Sequence, residues 1–205
     1  MASRIIHLAV SKIVAEHFDL DIGRFNLGNL LPDLHTNTKE EKSVSHFRIV
    51  REPYEDAKTD EYQYFDYSCF LERNKEKIND DIYLGYYCHL ITDELWIQNI
   101  YIKYMRDKNR KKRINQQKNY YHDFSKLNEI IREKYSLKMN LQYETVEMPQ
   151  IDFERITDLK IALENDFKIK YDDLKLLIFE YEDIINFIEE TSNVIIKNIE
   201  SEKLR

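Results

Sequence analysis

Apolar residues recur at helical spacing along most of the chain, and no segment alternates clearly in the manner of a β-strand. Residues 3–18 predict a first helix, in which Val10 and Val14 share one face and Ser3 can cap the start. The strongest helical pattern covers about residues 79–106, which are apolar on almost every side in the middle. The sequence therefore predicts an all-α protein, a multi-helix bundle around this buried central helix.

The remaining segments are shorter or less regular. Residues 19–40 contain Gly23, Gly28 and Pro32, and we expect a long irregular connection there. Further helices are predicted at residues 41–52, about 60–75, about 116–136 and, after a break at Pro149, within residues 150–203, the last from about residue 181. We expect a single domain over residues 1–205, with a metal-binding helical core at 1–137 and a C-terminal helical appendage at 150–205.

Composition supports a packed helical protein and limits its partners. The 205 residues include only three Gly and three Pro, as expected for long helices with few tight turns. The net charge of −7 indicates no general attraction to nucleic acid, so we expect no stable nucleic-acid partner. Lys103–Lys118 carries eight basic residues and one acid and could attract an anionic substrate, although a solvated helix end explains it more simply.

The sequence also bears on the compartment. Two cysteines, Cys69 and Cys88, do not make a disulfide framework. His7, Ser11 and Lys12 interrupt the apolar stretch at the N-terminus, so we expect no secretory signal. No run of 18 apolar residues occurs, and no transmembrane segment is predicted. We therefore expect a cytoplasmic protein with reduced thiols.

The strongest candidate for chemistry is the pair His89 and Asp93 in the predicted central helix. A spacing of four residues places both side chains on one face, one turn apart, where they can bind one cation or two neighbouring cations. Gly85 lies one turn earlier, and we expect its missing side chain to leave room for a metal or substrate. The alternative is a polar stripe in which the two residues only hydrogen-bond, but a buried carboxylate without a partner is costly.

Other residues of metal-ligand type lie on predicted apolar faces, stiff turns or helix ends. The further candidate ligands are His7, Asp33, His46, His122 and Asp123. Pro32 stiffens the turn before Asp33, although the sequence alone favours an ordinary turn or helix cap for that carboxylate. His7 and His46 could simply be packed and hydrogen-bonded. His122–Asp123 could be a helix-start cap or a late ligand pair.

Together these residues indicate a site of nitrogen and carboxylate ligands without cysteine. Such a donor set suits Zn²⁺, and another divalent ion is the alternative. In hydrolytic sites a divalent ion lowers the pKa of bound water and polarises phosphoryl oxygens, and paired ions suit phosphodiester displacement. We expect one or two ions, with Asp33 or Asp93 as the catalytic carboxylate that holds or deprotonates the attacking water.

The order of these motifs resembles the zinc-dependent phospholipase C family. The resemblance covers about residues 1–125, in the order of an early helical histidine, GNLLPD, SHF and GYYCHLITD. That family belongs with the P1-type nucleases in an all-α fold built round a metal cluster. The resemblance implies that metal ligands are His7, Asp33, His46, His89 and Asp93. It also implies that the carboxylate of the HxxxD pair can bridge two metals.

Two features of the family differ here. Secreted members use the mature N-terminal residue as a ligand after removal of a leader, whereas this chain starts at Met1, so we expect that ligand to be missing. They also supply a later cluster of two histidines and a carboxylate, for which only His122 and Asp123 could substitute. The resemblance therefore implies a reduced site with one or two ions.

The leading hypothesis is a zinc-dependent hydrolase of a phosphoester or phosphodiester, acting on a small phosphoester or phospholipid-like substrate. A second hypothesis is an HD-type phosphohydrolase, a class that is also all-α. His122–Asp123 is the only HD dipeptide, and Asp158 or Asp183 would then be the later ligand. The two hypotheses use different ligands and are separable by substitution.

A third hypothesis is non-catalytic: a metal-stabilised helical binding module. Its contact surfaces would be the tyrosine-rich stretch Tyr62, Tyr64 and Tyr67 and the amphipathic tail at 181–203. Core packing and a solvated helix face account for both features equally well. This hypothesis predicts metal binding without turnover of any phosphoester.

Overall fold

Eight α-helices form most of the part of the chain that the computed structural model describes. The backbone is described for residues 1–34, 39–51, 62–106 and 110–205, and the side chains for all of these except 39–41, 50–51, 62–64, 106 and 110–115. The helices are α1 (Arg4–Phe18), α2 (Ile22–Leu30), α3 (Lys39–Ser45), α4 (Tyr67–Arg73), α5 (Asp81–Leu95), α6 (Arg110–Lys134), α7 (Ile156–Lys168) and α8 (Tyr181–Ser201). The predicted all-α bundle is confirmed.

The other elements are short. Leu31–Leu34 and Phe153–Arg155 are 3₁₀ turns, and the π-helical segment Trp96–Arg106 continues α5. Strands β1 (Arg48–Arg51) and β2 (Tyr62–Phe65) form an antiparallel pair with Arg48 opposite Phe65. None of the helices in the described ranges combines the length and the apolar character that crossing a bilayer requires.

Helix α5 is the buried centre that the sequence predicts. Every residue from Ile82 to Glu94 is buried, on all sides of the helix. The predicted span 79–106 is nevertheless not one regular helix, because the π-helical segment takes over at Trp96 and exposes Gln98 and Asn99. The Asp80 carboxylate accepts a hydrogen bond from the N–H of Ile82 and fixes the start of α5.

Residues 19–34, within the predicted connection 19–40, are more regular than the sequence predicts. Helix α2 occupies 22–30 and is capped by Asp21, whose carboxylate accepts hydrogen bonds from the N–H groups of Gly23 and Arg24. The glycines that suggested a loop lie inside this helix. At Gly28 a Cβ atom would lie 1.9 Å from the carbonyl oxygen of Ile82, so only glycine allows α2 to pack this closely on α5.

Gly85 has the same role on the other helix. A Cβ atom there would lie 2.2 Å from the carbonyl oxygen of Phe25 and 2.9 Å from the nitrogen of Asn29. The expectation that Gly85 leaves room for a metal or substrate is therefore wrong, since the backbone of α2 fills that space. The two glycines let α2 and α5 touch backbone to backbone.

Two predicted helices are shorter than expected, and each adjoins a short strand. The segment predicted as helix 41–52 is α3 followed by β1, and the segment at 60–75 is β2 followed by α4. The break falls at Phe47, which has a left-handed φ of 51°. β2 is fixed to the centre of the fold because the Glu94 carboxylate accepts a hydrogen bond from the N–H of Phe65 at 3.0 Å.

The C-terminal half packs on the same core. Helix α8 begins at Tyr181, as predicted, and packs against α1 and α5 with Ile184, Ile188 and Ile195 buried. Helix α6 extends the predicted helix 116–136 toward the N-terminus. Of the basic segment Lys103–Lys118, the side chains at 106–115 lie outside the described residues, and Lys103 forms an ion pair with Asp183.

The close contact between α2 and α5 leads to a stability prediction. Replacing Gly85 by alanine should destabilise the protein by about 2–4 kcal/mol, because backbone atoms of α2 cannot move away as a flexible side chain can. Urea unfolding followed by circular dichroism measures this. Gly23→Ala is the matched control, since its Cβ would lie 3.2 Å or more from its nearest neighbours, Gln142 and Asn140, and we expect a change within about 1 kcal/mol. Equal effects at both positions would contradict the packing argument.

Candidate metal centre

Five of the seven predicted ligands converge in one buried cluster, which we call the His–Asp cluster. His7 comes from α1, Asp33 from the 3₁₀ turn, His46 from the residue after α3, and His89 and Asp93 from α5. The side chains of the histidines and Asp93 are fully inaccessible to solvent, whereas that of Asp33 is 9% exposed. Polar side chains on otherwise apolar elements are thus gathered at one point, with Asp33 on the solvent side.

The spacing of the ligand atoms is that of a coordination site. His46 Nε2 lies 3.2 Å from His89 Nε2, and each of these atoms lies 3.5 Å from Asp93 Oδ2. Four ligands at tetrahedral corners, about 2.0–2.1 Å from one zinc ion, are separated from each other by about 3.3 Å. Ordinary hydrogen bonds of these groups are shorter, near 2.9 Å. The three atoms therefore match one face of a tetrahedron.

Backbone carbonyl groups fix which nitrogen of each imidazole is free. His89 Nδ1 lies 2.7 Å from the carbonyl oxygen of Asn29, and His46 Nδ1 lies 3.1 Å from that of Lys42. A carbonyl oxygen only accepts hydrogen bonds, so both Nδ1 atoms carry the hydrogen. The two Nε2 atoms then face each other across 3.2 Å, an arrangement that either a proton on one ring or a metal ion between the rings would stabilise.

Ser45 joins two of the contributing segments. Its hydroxyl donates to the carbonyl oxygen of Pro32 at 2.9 Å and lies 2.9 Å from His46 Nδ1. The phenol of Tyr86 in α5 donates to the carbonyl oxygen of Ser45. The turn that carries Asp33 and the helix end that carries His46 are therefore tied to each other and to the central helix.

His7 completes the cluster from α1. Its ring stacks on that of His89 with centroids 3.9 Å apart and an angle of 8° between the planes. His7 Nε2 lies 3.4 Å from Asp93 Oδ1. Asp93 Oδ2 and the two ring nitrogens of His7 are buried, and none of these three atoms has a hydrogen-bond partner in the described part of the chain. Buried polar atoms normally find partners, so these atoms are candidates to bind an ion.

Two sets of residues could hold a cation in the described part of the chain. One consists of His46, His89 and Asp93, and the other of His7, Asp33 and His89, with the ligand atoms of each set within 4.8 Å of one another. Because a single Nε2 serves one ion, His89 belongs to one set at a time. The first set is the better fit, since its nitrogens have fixed tautomers.

Burial and charge act against each other on the pKa values of the cluster. Burial would raise the pKa of Asp93, but contact with His7 and His89 outweighs burial and holds it well below the ordinary value. Burial lowers the pKa of His46 to about 4. Burial acts in the same direction on His89, yet the contact with Asp93 prevails and raises its pKa. The ionised Asp93 and the neutral His46 have the protonation states that a divalent ion requires, whereas a proton on His89 would be displaced when an ion binds.

Three residues of the site carry no signal in the sequence. Asn29 and Lys42 act through their backbone carbonyl groups, so their side-chain types do not reveal the role. Ala2 donates its backbone N–H to Asp93 Oδ1 at 2.8 Å, and burial lowers the pKa of the Met1 amino group beside it. The segment before α1 therefore reaches the cluster, a contact that the sequence analysis did not predict. Ser45, in contrast, could be inferred from its position next to His46.

His122 and Asp123, the other two predicted ligands, do not lie in the His–Asp cluster. The Asp123 carboxylate is buried and accepts hydrogen bonds from the backbone N–H groups of Leu177, Ile178 and Phe179 at 2.6–3.2 Å. His122 lies on the surface of α6 with 46% of its side chain exposed. Asp123 therefore holds the segment before α8 onto α6.

Comparisons with known proteins give no match. No model of a known protein family matches the sequence, and a search of curated proteins finds no matching relative. No solved structure matches either. The resemblance to zinc-dependent phospholipases C therefore rests on the motifs described above, whose His7, Asp33, His46, His89 and Asp93 lie together in space.

The geometry predicts which substitutions remove a bound metal. His46→Ala and His89→Ala should each lower the metal content of the purified protein to well below one ion per chain, because each removes a corner of the same triangle of ligand atoms. His122→Ala should leave the content unchanged. Elemental analysis of the folded variants tests this. Loss of metal from His122→Ala, with retention in His89→Ala, would contradict the assignment.

Asp123 should be important for stability instead. Asp123→Ala should lower the free energy of unfolding by about 3 kcal/mol or more, since three buried backbone N–H groups lose a charged acceptor. The metal content should not change. The neighbouring His122→Ala is the control and should shift stability by less than about 0.5 kcal/mol. Chemical denaturation of both variants measures the difference, and equal small effects would refute this role of Asp123.

Proposed function

We propose that the protein is a metal-dependent hydrolase of a phosphoester or phosphodiester, with Zn²⁺ or another divalent ion held by the His–Asp cluster. The observation that carries the proposal is the triangle formed by His46 Nε2, His89 Nε2 and Asp93 Oδ2 in a fully buried setting. Three protein ligands leave a position for water or substrate, as in catalytic rather than structural zinc sites. The resemblance to zinc-dependent phospholipases C supports the same chemistry.

The two carboxylates have different surroundings and therefore different proposed roles. Asp93 is sealed from solvent, contacts three imidazoles and accepts a hydrogen bond from the N–H of Ala2, so it acts as a metal ligand. Asp33 is 9% exposed, and its Oδ1 lies 3.5 Å from His46 Nε2. Burial would raise the pKa of Asp33, but the contact with His46 outweighs it, so the pKa is lowered and the carboxylate stays ionised. We therefore assign to Asp33 the orientation of the attacking water, for which an ionised carboxylate is the hydrogen-bond acceptor.

A bound divalent ion would lower the pKa of the water that it binds and would act as a Lewis acid on the phosphoryl oxygen. The protein contributes the rest through fixed groups. The carbonyl groups of Asn29 and Lys42 hold the imidazoles of His89 and His46 in one tautomer and orientation. Asn29 belongs to α2, which packs on α5, and the end of α3 is tied to α5 by the hydrogen bond from Tyr86 to Ser45, so the ligands need little reorganisation on binding an ion.

The alternative functions have less support. The HD-type phosphohydrolase loses its ligand pair, since Asp123 binds backbone N–H groups and His122 is exposed. Of its proposed later ligands, Asp183 contacts Lys103 and Tyr104. For the metal-stabilised binding module, the side chains of Tyr62 and Tyr64 lie outside the described residues. That module is distinguished from the hydrolase by the absence of turnover.

Turnover on a phosphoester panel tests the proposal. Zinc-loaded protein should hydrolyse a chromogenic phosphodiester or phosphomonoester, and Asp33→Asn should lower kcat by about 100-fold or more while the ion is retained by the other ligands. The Asp93→Asn variant should neither bind the ion nor hydrolyse the substrate.

Asp19→Asn is a control, because Asp19 is an exposed residue at the end of α1. This substitution should leave metal content and turnover unchanged. A protein that binds zinc but hydrolyses nothing on the panel would favour the binding module. Full activity in Asp33→Asn would remove the proposed role of that carboxylate.

A further inference from the structure

The His–Asp cluster does not by itself provide a positive site for a phosphate group. It offers two carboxylates, Asp33 and Asp93, whose charges would balance one divalent ion, and imidazoles that bind a metal in their neutral form. With one ion bound, an anionic substrate would meet a nearly neutral centre, and its remaining charge needs a separate cation.

Arg48 is the cation next to the cluster. It is the first residue of β1 and lies opposite Phe65 in the antiparallel pair. Its guanidinium Cζ lies 5.9 Å from the ring centroid of Phe65, whose ring is in turn 5.7 Å from that of His46. Directly opposed residues of two strands place their side chains on one face of the sheet. Phe65 therefore acts as a platform between the guanidinium and a metal ligand.

One nitrogen of the guanidinium lacks a hydrogen-bond partner among the described residues. Arg48 Nε is buried, and no hydrogen-bond acceptor for it lies in the described part of the chain. Burying a guanidinium N–H without an acceptor is costly, so such groups are normally satisfied. The ligand that suits the planar edge of an arginine is an oxyanion that takes two parallel hydrogen bonds.

Lys42, in α3, and Arg48, in β1, lie on either side of His46 along the chain. Neither forms an ion pair with a residue that the structure describes. The segment that carries the ligand His46 therefore also carries two cations.

We propose that Arg48 binds a phosphoryl oxygen of the substrate, held over Phe65 beside the His–Asp cluster. This inference rests on the proposed function, and it assigns the recognition of the anion to β1 rather than to the basic segment Lys103–Lys118. Within that segment, Lys103 is already paired with Asp183. Arg48 acts by binding and orienting the anion, and it transfers no proton.

Binding of inorganic phosphate to the metal-loaded protein tests the assignment by calorimetry. Arg48→Gln should weaken phosphate binding by about 10- to 100-fold, the loss expected for a charge-assisted pair of hydrogen bonds, without changing the metal content. Arg73→Gln is the matched control, because Arg73 also lies over a phenylalanine ring, that of Phe47 at 5.6 Å, but is exposed. It should bind phosphate within about 2-fold of the wild-type protein.

A second variant keeps the test decisive if Arg48→Gln does not fold. Arg48→Lys retains the charge and the aliphatic chain but presents no planar pair of N–H groups, and it should still weaken phosphate binding by about 3- to 10-fold. Phosphate affinity equal to that of the wild-type protein in either folded variant would overturn the inference. So would a metal-loaded wild-type protein that binds no phosphate.

The outcome is separable from that of the proposed function. Phosphate binding that depends on Arg48, in a protein that hydrolyses nothing on the phosphoester panel, would support the anion site and contradict the hydrolase. Hydrolysis that proceeds with the same KM in Arg48→Gln as in the wild-type protein, together with unchanged phosphate binding, would support the hydrolase and contradict the anion site.

Discussion

The backbone contact between α2 and α5 is the constraint on which the candidate site depends. Gly28 and Gly85 allow the two helices to approach until carbonyl oxygens of each helix lie where a Cβ atom would be. Only at this separation does the carbonyl group of Asn29 reach Nδ1 of His89, at 2.7 Å. That hydrogen bond sets the tautomer of His89 and directs Nε2 toward Asp93 and His46. The packing of two helices thus determines the chemistry of a buried imidazole.

The cluster itself is costly to bury unless a cation occupies it. Three imidazoles and two carboxylates share a volume from which water is almost excluded, and both ring nitrogens of His7 have no hydrogen-bond partner among the described residues. A proton on His89, whose pKa is raised by Asp93, can neutralise one contact only. A divalent ion satisfies several lone pairs at once. Proteins accept such local cost at functional sites and compensate for it elsewhere in the core.

The sequence predicts much of this arrangement, and the remainder has identifiable physical reasons. His7, His46, His89 and Asp93 are predictable because polar side chains on apolar helical faces need partners, and Asp33 is a candidate because Pro32 stiffens the turn that carries it. The role of Gly85 is not predictable from the sequence, because it depends on which helix crosses α5. The glycines of α2 resemble a loop signal, since their packing role depends on the same crossing. The short strands β1 and β2 are stabilised by pairing between segments distant in the sequence. Asp123 resembles a metal ligand, but its partners are backbone N–H groups about fifty residues away, which no side-chain pattern encodes.

Anomalous diffraction at the zinc absorption edge, from crystals of protein loaded with one equivalent of zinc, tests the central claim most directly. The account predicts one principal peak about 2.0–2.2 Å from His46 Nε2, His89 Nε2 and an oxygen of Asp93. A peak bound instead by other residues, or no peak in the cluster with His89 hydrogen-bonded to Asp93 through a proton, would contradict it.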